Sequence, residues 1–272
     1  MTNHILANIT WKCQLRCSYC WVRKHVNKIP ALDGVVAYRP LEDWIAATER
    51  DMPDIMDVGG GEPLSVPWCL DWIRAFPNMK WGLSTNGLNV GKIDELMCFP
   101  LPQIISINLS YHPEAARQYD WYDRQWRHQV QGLLGAGYNV IPNLEDTGRN
   151  VERSKWAIDW LAAIGRHMVI SPLCGGRPEL AHPQPLALTC EAGTAYMTVA
   201  PDGRAWPCLT TLNSYAWNET SIGNWLDDTI DLSNVPKPCN LWCVEWFSQY
   251  QNHEAGDFWG LKVHPVKGQN EK

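Results

Sequence analysis

The sequence has no apolar run approaching the roughly 20 residues needed to cross a bilayer, so no membrane span is expected. It is also short of positive charge. Lys and Arg number 23 against 29 Asp and Glu, for a net charge of -6 and a pI near 5.7. A protein that works by neutralising duplex phosphates should be basic, so duplex nucleic acid is a poor partner. The start, Met1-Thr2-Asn3-His4, lacks the positive flank and apolar stretch of a secretory signal, and a cytoplasmic location is expected. Phenylalanine is scarce, with 4 residues against 16 tryptophans, which can fill most core positions that Phe would. Charged residues are only 19% and apolar ones 45%, a balance that supports a packed core and disfavours disorder. No internal repeat is evident.

What is abundant is cysteine, with 10 residues. Without an export signal these are poor candidates for a disulfide framework, and spaced clusters point to metal or catalysis. Their meaning depends on the order of elements. Ile5–Trp11 reads as a strand ending at Cys13, and Leu41, Trp44, Ile45 and Thr48 repeat at helical spacing behind Pro40. Asp54–Val58 is a strand that stops in Gly59-Gly60-Gly61, and 67–76 has the length of a helix. Trp81–Leu83 is a short strand ending in Ser84-Thr85-Asn86-Gly87, followed by a helix over Ile93–Cys98 and a strand over Gln103–Ser110. A helical face of Trp126, Val130, Leu133 and Leu134 precedes the strand Tyr138–Leu144. Trp156, Trp160 and Ile164 mark a last helix before the strand His167–Ser171. Strands alternating with helices predict a parallel α/β sheet or partial barrel, whose reactive groups collect at the carboxyl ends of the strands.

After Ser171 the texture changes. Pro172, Pro178, Pro183 and Pro185 punctuate a linker, and a boundary is expected near residue 185, dividing the chain into 1–185 and 186–272. Tyr196–Val199, the turn Pro201-Asp202-Gly203 and Arg204–Pro207 predict a β-hairpin, Trp242–Tyr250 a short helix, and the tail from His264 a loose end.

Cys13-x3-Cys17-x2-Cys20 follows the first strand directly. Three thiolates on one loop can converge on a [4Fe–4S] cube yet leave one iron open for a ligand. The competing reading is a zinc loop, although zinc prefers paired knuckles and a fourth ligand. Gly60-Gly61-Glu62 and Ser84-Thr85-Asn86 stand at the next two strand ends, where glycines admit a ligand to the backbone and a carboxylate can hold an ammonium.

In this order the motifs resemble the radical S-adenosylmethionine (SAM) superfamily, with Cys13, Cys17 and Cys20 matching its cluster motif and Tyr19 its aromatic before the last cysteine. The resemblance covers nearly the whole chain. It implies a partial (β/α)6 barrel with a small cysteine-rich C-terminal hairpin and helix module. It also implies an open iron that chelates the methionine moiety of SAM, and a cytoplasmic electron donor such as a flavodoxin- or ferredoxin-like protein. Gly60, Gly61 and Glu62 match the segment that holds the methionine amino group, with Ser84 and Asn86 beside it. Asn108 or Ser110 would contact ribose, a fifth-strand contact falls near Asn143, and Val169 and Ile170 would flank adenine or serve as plain core.

Cys190, Cys208, Cys239 and Cys243 resemble the twitch module, a short relative of the SPASM extension that carries one auxiliary [4Fe–4S] cluster. Three residues separate the last pair where the family often has two, and structural zinc is the alternative. Cys69 and Cys98 are expected simply to be buried, whereas Cys174 lies at the presumed rim. Glu145, Asp146 and Cys174 are the candidates for catalysis, with Arg149 or Arg177 as anion anchors and His112 as a substrate contact or a His-Pro turn. Trp121, Tyr122 and Trp126 either stack a base or sit in the core. The implied function is abstraction of a substrate hydrogen by a 5′-deoxyadenosyl radical, with oxidation of a small molecule assisted by the second cluster. Redox-neutral rearrangement of a small molecule or nucleoside, peptide maturation, and a zinc-stabilised binding module are the alternatives.

Overall fold

The computed structural model describes residues 4–20, 22, 39–146, 151–166, 168–172, 196–207 and 221–234; for Glu145, Asp146, Val151, 169–172 and Asn234 the description covers the backbone alone. The expected alternation is present. β1 (His4–Thr10), β2 (Ile55–Gly60), β3 (Lys80–Thr85), β4 (Ile104–Tyr111), β5 (Val140–Asp146) and β6 (Val169–Pro172) pair in sequence order, all parallel. Between them run α1 (Leu41–Asp51), α2 (Cys69–Ala75), α3 (Val90–Leu96), α4 (Pro113–Gln118), α5 (Tyr122–Gly135) and α6 (Val151–Ala163). The predicted hairpin forms β7 (Tyr196–Val199) and β8 (Arg204–Trp206), extended by β9 (Gly223–Asn224). β7 adds to β1 in parallel, so the sheet has 9 strands in the order β6-β5-β4-β3-β2-β1-β7-β8-β9. Residues on both sides of the linker thus share one sheet.

The side chains divide by parity along each strand, because successive residues face opposite sides of a sheet. One face carries Ile5, Ala7, Ile9, Met56, Val58, Trp81, Leu83, Ile107, Leu109 and Tyr111, all in the apolar core beneath the helices. The other face carries Asn8, Thr10, Asp57, Ser106, Asn108, Asn143 and Thr198, buried yet polar. This polar face is where the sequence departs from an ordinary core.

The tryptophan excess has a location. Trp44, Trp72, Trp81 and Trp225 form a chain of ring contacts between α1, α2, β3 and the segment after β9, with centroids 5.1 Å (Trp44–Trp72), 5.0 Å (Trp72–Trp81) and 6.0 Å (Trp44–Trp225) apart. Some indole N–H groups also find partners there: Trp72 Nε1 donates to Thr48 Oγ1 at 3.1 Å, and Trp225 Nε1 to Asp51 Oδ2 at 2.6 Å, whereas Trp44 Nε1 has none among the described residues. Phenylalanine would supply area without these bonds. Tyr122 and Trp126 are fully buried against Tyr111, so they are core and not a base-stacking surface.

Two local expectations are corrected. His112-Pro113 does not make a simple turn; it starts α4, because Pro113 sits at the helix start, where its missing N–H costs nothing. Cys98 is exposed beyond α3, whereas Cys69 is buried as expected, its thiol pushed up by burial.

On the polar face, a methyl group added at Gly82 would lie 1.7 Å from Asp57 Oδ1. The Asp57 carboxylate, tied to the His4 ring, thus occupies the space above Gly82. Gly82→Ala is expected to destabilise the fold by about 1–3 kcal/mol through overpacking. In an Asp57→Ala background the same change should cost far less, a coupling that a double-mutant cycle in urea would read.

Candidate functional site

The loop that carries Cys13, Cys17 and Cys20 leaves β1 beside the end of β2, where the register between the two strands slips between Asn8 and Thr10. Such irregularities re-aim a chain at the rim of a sheet. Two backbone bonds hold the loop to β2: Gly61 N donates to Thr10 O at 2.7 Å, and Glu62 N to Lys12 O at 2.8 Å. The glycines are required. Gly60 has φ 121°, and a Cβ there would meet Thr10 O at 2.3 Å; one on Gly61 would meet Lys12 O at 2.3 Å.

Glu62 is wholly buried, and both carboxylate oxygens are engaged. Oε1 accepts from Leu64 N at 3.0 Å and from Thr85 Oγ1 at 2.7 Å, while Oε2 accepts from Asn86 N at 2.7 Å. Burial pushes its pKa up to about 7 in spite of these donors. The side chain therefore binds the end of β3 to the loop after β2. Asn86 continues the connection. Its Oδ1 accepts from Leu88 N at 2.9 Å and Gln14 Nε2 at 3.2 Å, and its Nδ2 donates to Cys13 Sγ at 3.6 Å.

The three cysteines face one another closely enough that the charges of Cys13 and Cys20 contribute to raising the Cys17 pKa. Desolvation by the surrounding protein is the larger cause and pushes the buried Cys17 thiol up to about 12 and the Cys13 thiol, whose residue is still exposed on one side, up to about 11. Among the described residues no three potential ligands gather around a point as one metal ion would require. A cleft of about 850 Å³ opens beside Lys12, Cys13 and Gln14, with Ser65 and Leu88–Val90 opposite.

β4 contributes from the other side. Tyr19 OH and His112 Nδ1 lie 2.8 Å apart with the rings stacked, and Cys17 Sγ is 3.7 Å from the same nitrogen. Desolvation lowers the His112 pKa to about 4. Glu114, in the first turn of α4, accepts from Ser18 N at 2.6 Å and from Ser18 Oγ. The sequence left His112 as a substrate contact or a His-Pro turn; the structure sets it against the cysteine loop. Sequence reasoning missed Glu114 altogether, although a Pro-Glu helix start at a strand end was the available signal.

Of the remaining candidates, Ser84 pairs in register with Asn108, and Ser110 with Asn143, so they share the polar face. Among the described residues Asn108 Oδ1 is buried without a hydrogen-bond partner. Glu145 and Asp146, expected just beyond the fifth strand, are the last two residues of β5, and Val169 is the first residue of β6. Cys174, Cys190, Cys208, Cys239 and Cys243, with Arg149 and Arg177, lie outside the described residues.

Glu62 and His112 should titrate in opposite senses in the metal-free protein. Glu62 rises from 4.5 to about 7, so the stability held by its neutral form is complete below 4.5 and lost as pH climbs to 7. His112 falls from 6.5 to about 4, so its contribution is complete above 6.5 and lost as pH drops to 4. Urea denaturation across this range should show Glu62→Gln gaining on the wild type as pH rises, and His112→Phe gaining as it falls. A difference independent of pH in Glu62→Gln would mean that this carboxyl keeps its ordinary pKa.

No protein-family profile and no curated protein sequence matches the chain. Solved structures do. Native anSMEcpe with bound AdoMet is 12% identical, with a TM-score of 0.55 over 85% of this chain and 79% of that one. The same protein with AdoMet and the Kp18Cys peptide gives a TM-score of 0.54 at 12% identity over the same shares, 85% and 79%. Streptococcus suis SuiB bound to S-adenosylmethionine is 12% identical with a TM-score of 0.48; the match covers 87% of this chain but only 64% of SuiB, less than two thirds of its length. At such identities it is architecture that is shared, and the architecture is a parallel α/β sheet with its helices: the chain has the fold of the radical SAM enzymes.

Proposed function

We propose that the chain is a radical SAM enzyme in which Cys13, Cys17 and Cys20 hold a [4Fe–4S] cluster whose open iron binds SAM. The observation that carries this reading is the joining of the three-cysteine loop to Gly60-Gly61-Glu62 and to Asn86 at neighbouring strand ends. When bound and reduced, such a cluster supplies the electron that cleaves the sulfonium C–S bond of SAM, and the 5′-deoxyadenosyl radical so formed takes a hydrogen from substrate.

The protein's share is placement. Gly60 and Gly61 bring the backbone against the cysteine loop, and Glu62 keeps the ends of β2 and β3 in step, so loss of its carboxylate would loosen the methionine seat. Ser84, Asn86, Asn108 and Ser110 offer hydrogen-bonding groups to the rest of SAM, and Val169 a flank for adenine. Tyr19 reaches SAM's surroundings from the cysteine loop and is steadied by His112. Glu145, Asp146 and Cys174 are the candidates for proton transfer at the substrate.

Cys190, Cys208, Cys239 and Cys243 form a closed set for a second [4Fe–4S] cluster in a twitch-like module over 186–272. A nearby electron acceptor favours an oxidative outcome on a small molecule, with a flavodoxin- or ferredoxin-like donor in the cytoplasm. A peptide substrate is the second reading, favoured by the bound peptide in a structure of the same fold. No helix among the described residues is long and apolar enough to cross a membrane.

After anaerobic reconstitution the protein should carry about 8 Fe per chain, and the Cys13→Ala/Cys17→Ala/Cys20→Ala variant about half of that. With dithionite and SAM the wild type should release 5′-deoxyadenosine and the triple variant none. Full iron in the triple variant would place the first cluster elsewhere. Incubation with metabolite and peptide pools, read by mass spectrometry, separates the two substrate readings.

The second cluster makes a separate prediction. A Cys239→Ala/Cys243→Ala variant with a native circular dichroism spectrum should still form 5′-deoxyadenosine but no oxidised product. The spectrum matters because a metal site that ties a module together also contributes folding energy. Continued formation of product in that variant would replace oxidation by rearrangement.

A further inference from the structure

We propose that Asn86 is a built-in hydrogen-bond donor to the Cys13 sulfur that raises the reduction potential of the first cluster, a role separate from any contact with SAM. The inference rests on the cluster assignment to Cys13, Cys17 and Cys20. It comes from the way the Asn86 amide is held.

An amide oxygen and nitrogen can be told apart by their partners, since one accepts and the other donates. One side of the Asn86 carboxamide faces two donors, Leu88 N at 2.9 Å and Gln14 Nε2 at 3.2 Å. The backbone N–H of Leu88 is the unambiguous one, because it can only donate. The atom there must be the oxygen, so the NH₂ is turned the other way, to Cys13 Sγ at 3.6 Å. The residue cannot easily swing aside. Its own N–H is bound to the buried Glu62 carboxylate at 2.7 Å, and the side chain is only 4% exposed.

Leu15 N adds a second donor to the same sulfur at 3.4 Å. No amide among the described side chains is bonded to Cys17, whose sulfur instead has the Tyr19 side chain and the His112 ring beside it. Donors to a ligand sulfur favour the reduced, more negative state of a cluster and so raise its potential. The Asn86 donor is itself buried, so water does not compete for its amide although Cys13 is exposed on its other side.

Asn86→Asp tests the donor with the smallest change of shape. It keeps the oxygen that accepts from Leu88 and Gln14 and replaces only the NH₂ facing sulfur. Asn86→Leu removes the donor without adding charge. Anaerobically reconstituted full-length wild type and both variants would be compared for iron content, circular dichroism and midpoint potential by EPR-monitored titration. The signal followed is the one lost in the Cys13/Cys17/Cys20 triple variant. Both variants should shift it to more negative potential, Asn86→Asp further than Asn86→Leu. In wild-type enzyme carrying amide-labelled heavy-nitrogen asparagine, pulsed EPR of the reduced cluster should show a coupling to the label. That measurement needs no substitution, so it decides the matter even where a variant loses its cluster. Potentials equal to wild type in iron-replete variants, or no coupling to the label, would overturn the proposal. Iron that does not depend on the three cysteines would overturn the cluster assignment itself, and the proposal with it.

Discussion

The Glu62 carboxylate has no contact with water and accepts three hydrogen bonds from two neighbouring loops. An unpaired carboxylate in that position would cost several kcal/mol, so its donors must be present whenever the fold is. This ties the geometry of the site to folding and not to ligand. Thr85 and Asn86 cannot leave Glu62 without orphaning it, and Gly61 cannot leave Thr10 without breaking the backbone bond on which the cysteine loop rests. The loops are thereby set in their mutual positions before any cofactor arrives, which is the preorganisation that positioning chemistry requires.

The sheet explains why this arrangement falls at one end. Parallel strands joined by helices bring all their carboxyl ends to the same edge, so motifs scattered over the sequence become neighbours. The period of two then sorts the side chains. Large apolar groups such as Trp81, Leu83, Ile107 and Leu109 go under the helices, and Asn8, Asp57, Ser106 and Asn108 go to the opposite face. A buried face that is polar is costly for stability alone, and among the described residues its Asn108 oxygen has no partner.

Much of this could be read from the residues. The β-α alternation is carried by helical spacing and by strand ends rich in glycine, and the six parallel strands stand where that pattern put them, within a few residues. The cysteine triplet, Gly60-Gly61-Glu62 and Asn86 were visible as motifs, and their order supplied the family resemblance. What could not be read is who touches whom. Whether Glu62 points to a ligand or to Thr85 depends on a contact 23 residues away. The placement of His112 against Tyr19 depends on one 93 residues away. Local propensity says nothing about such pairs. The addition of β7 to β1 is likewise a pairing between distant segments that hydrophobic period cannot foresee. Cys98 failed for another reason: burial of cysteine is a tendency of the residue type, and the end of α3 happens to face outward.

The cysteine loop itself shows a tension between burial and ligand chemistry. Cluster binding needs thiolates, yet desolvation holds Cys13 and Cys17 well above neutral pH as thiols. The metal-free loop is therefore not a poised set of anions; on the cluster assignment proposed above it would release protons as metal binds, and its affinity should depend on pH. What favours the anion locally is a small number of oriented donors, Leu15 N and Asn86 Nδ2 at Cys13 and the Tyr19 side chain at Cys17. Those donors come from the loop itself and from the end of β3, which Glu62 has already locked. The buried carboxylate thus acts on the metal site indirectly, by holding the amide whose N–H the sulfur receives.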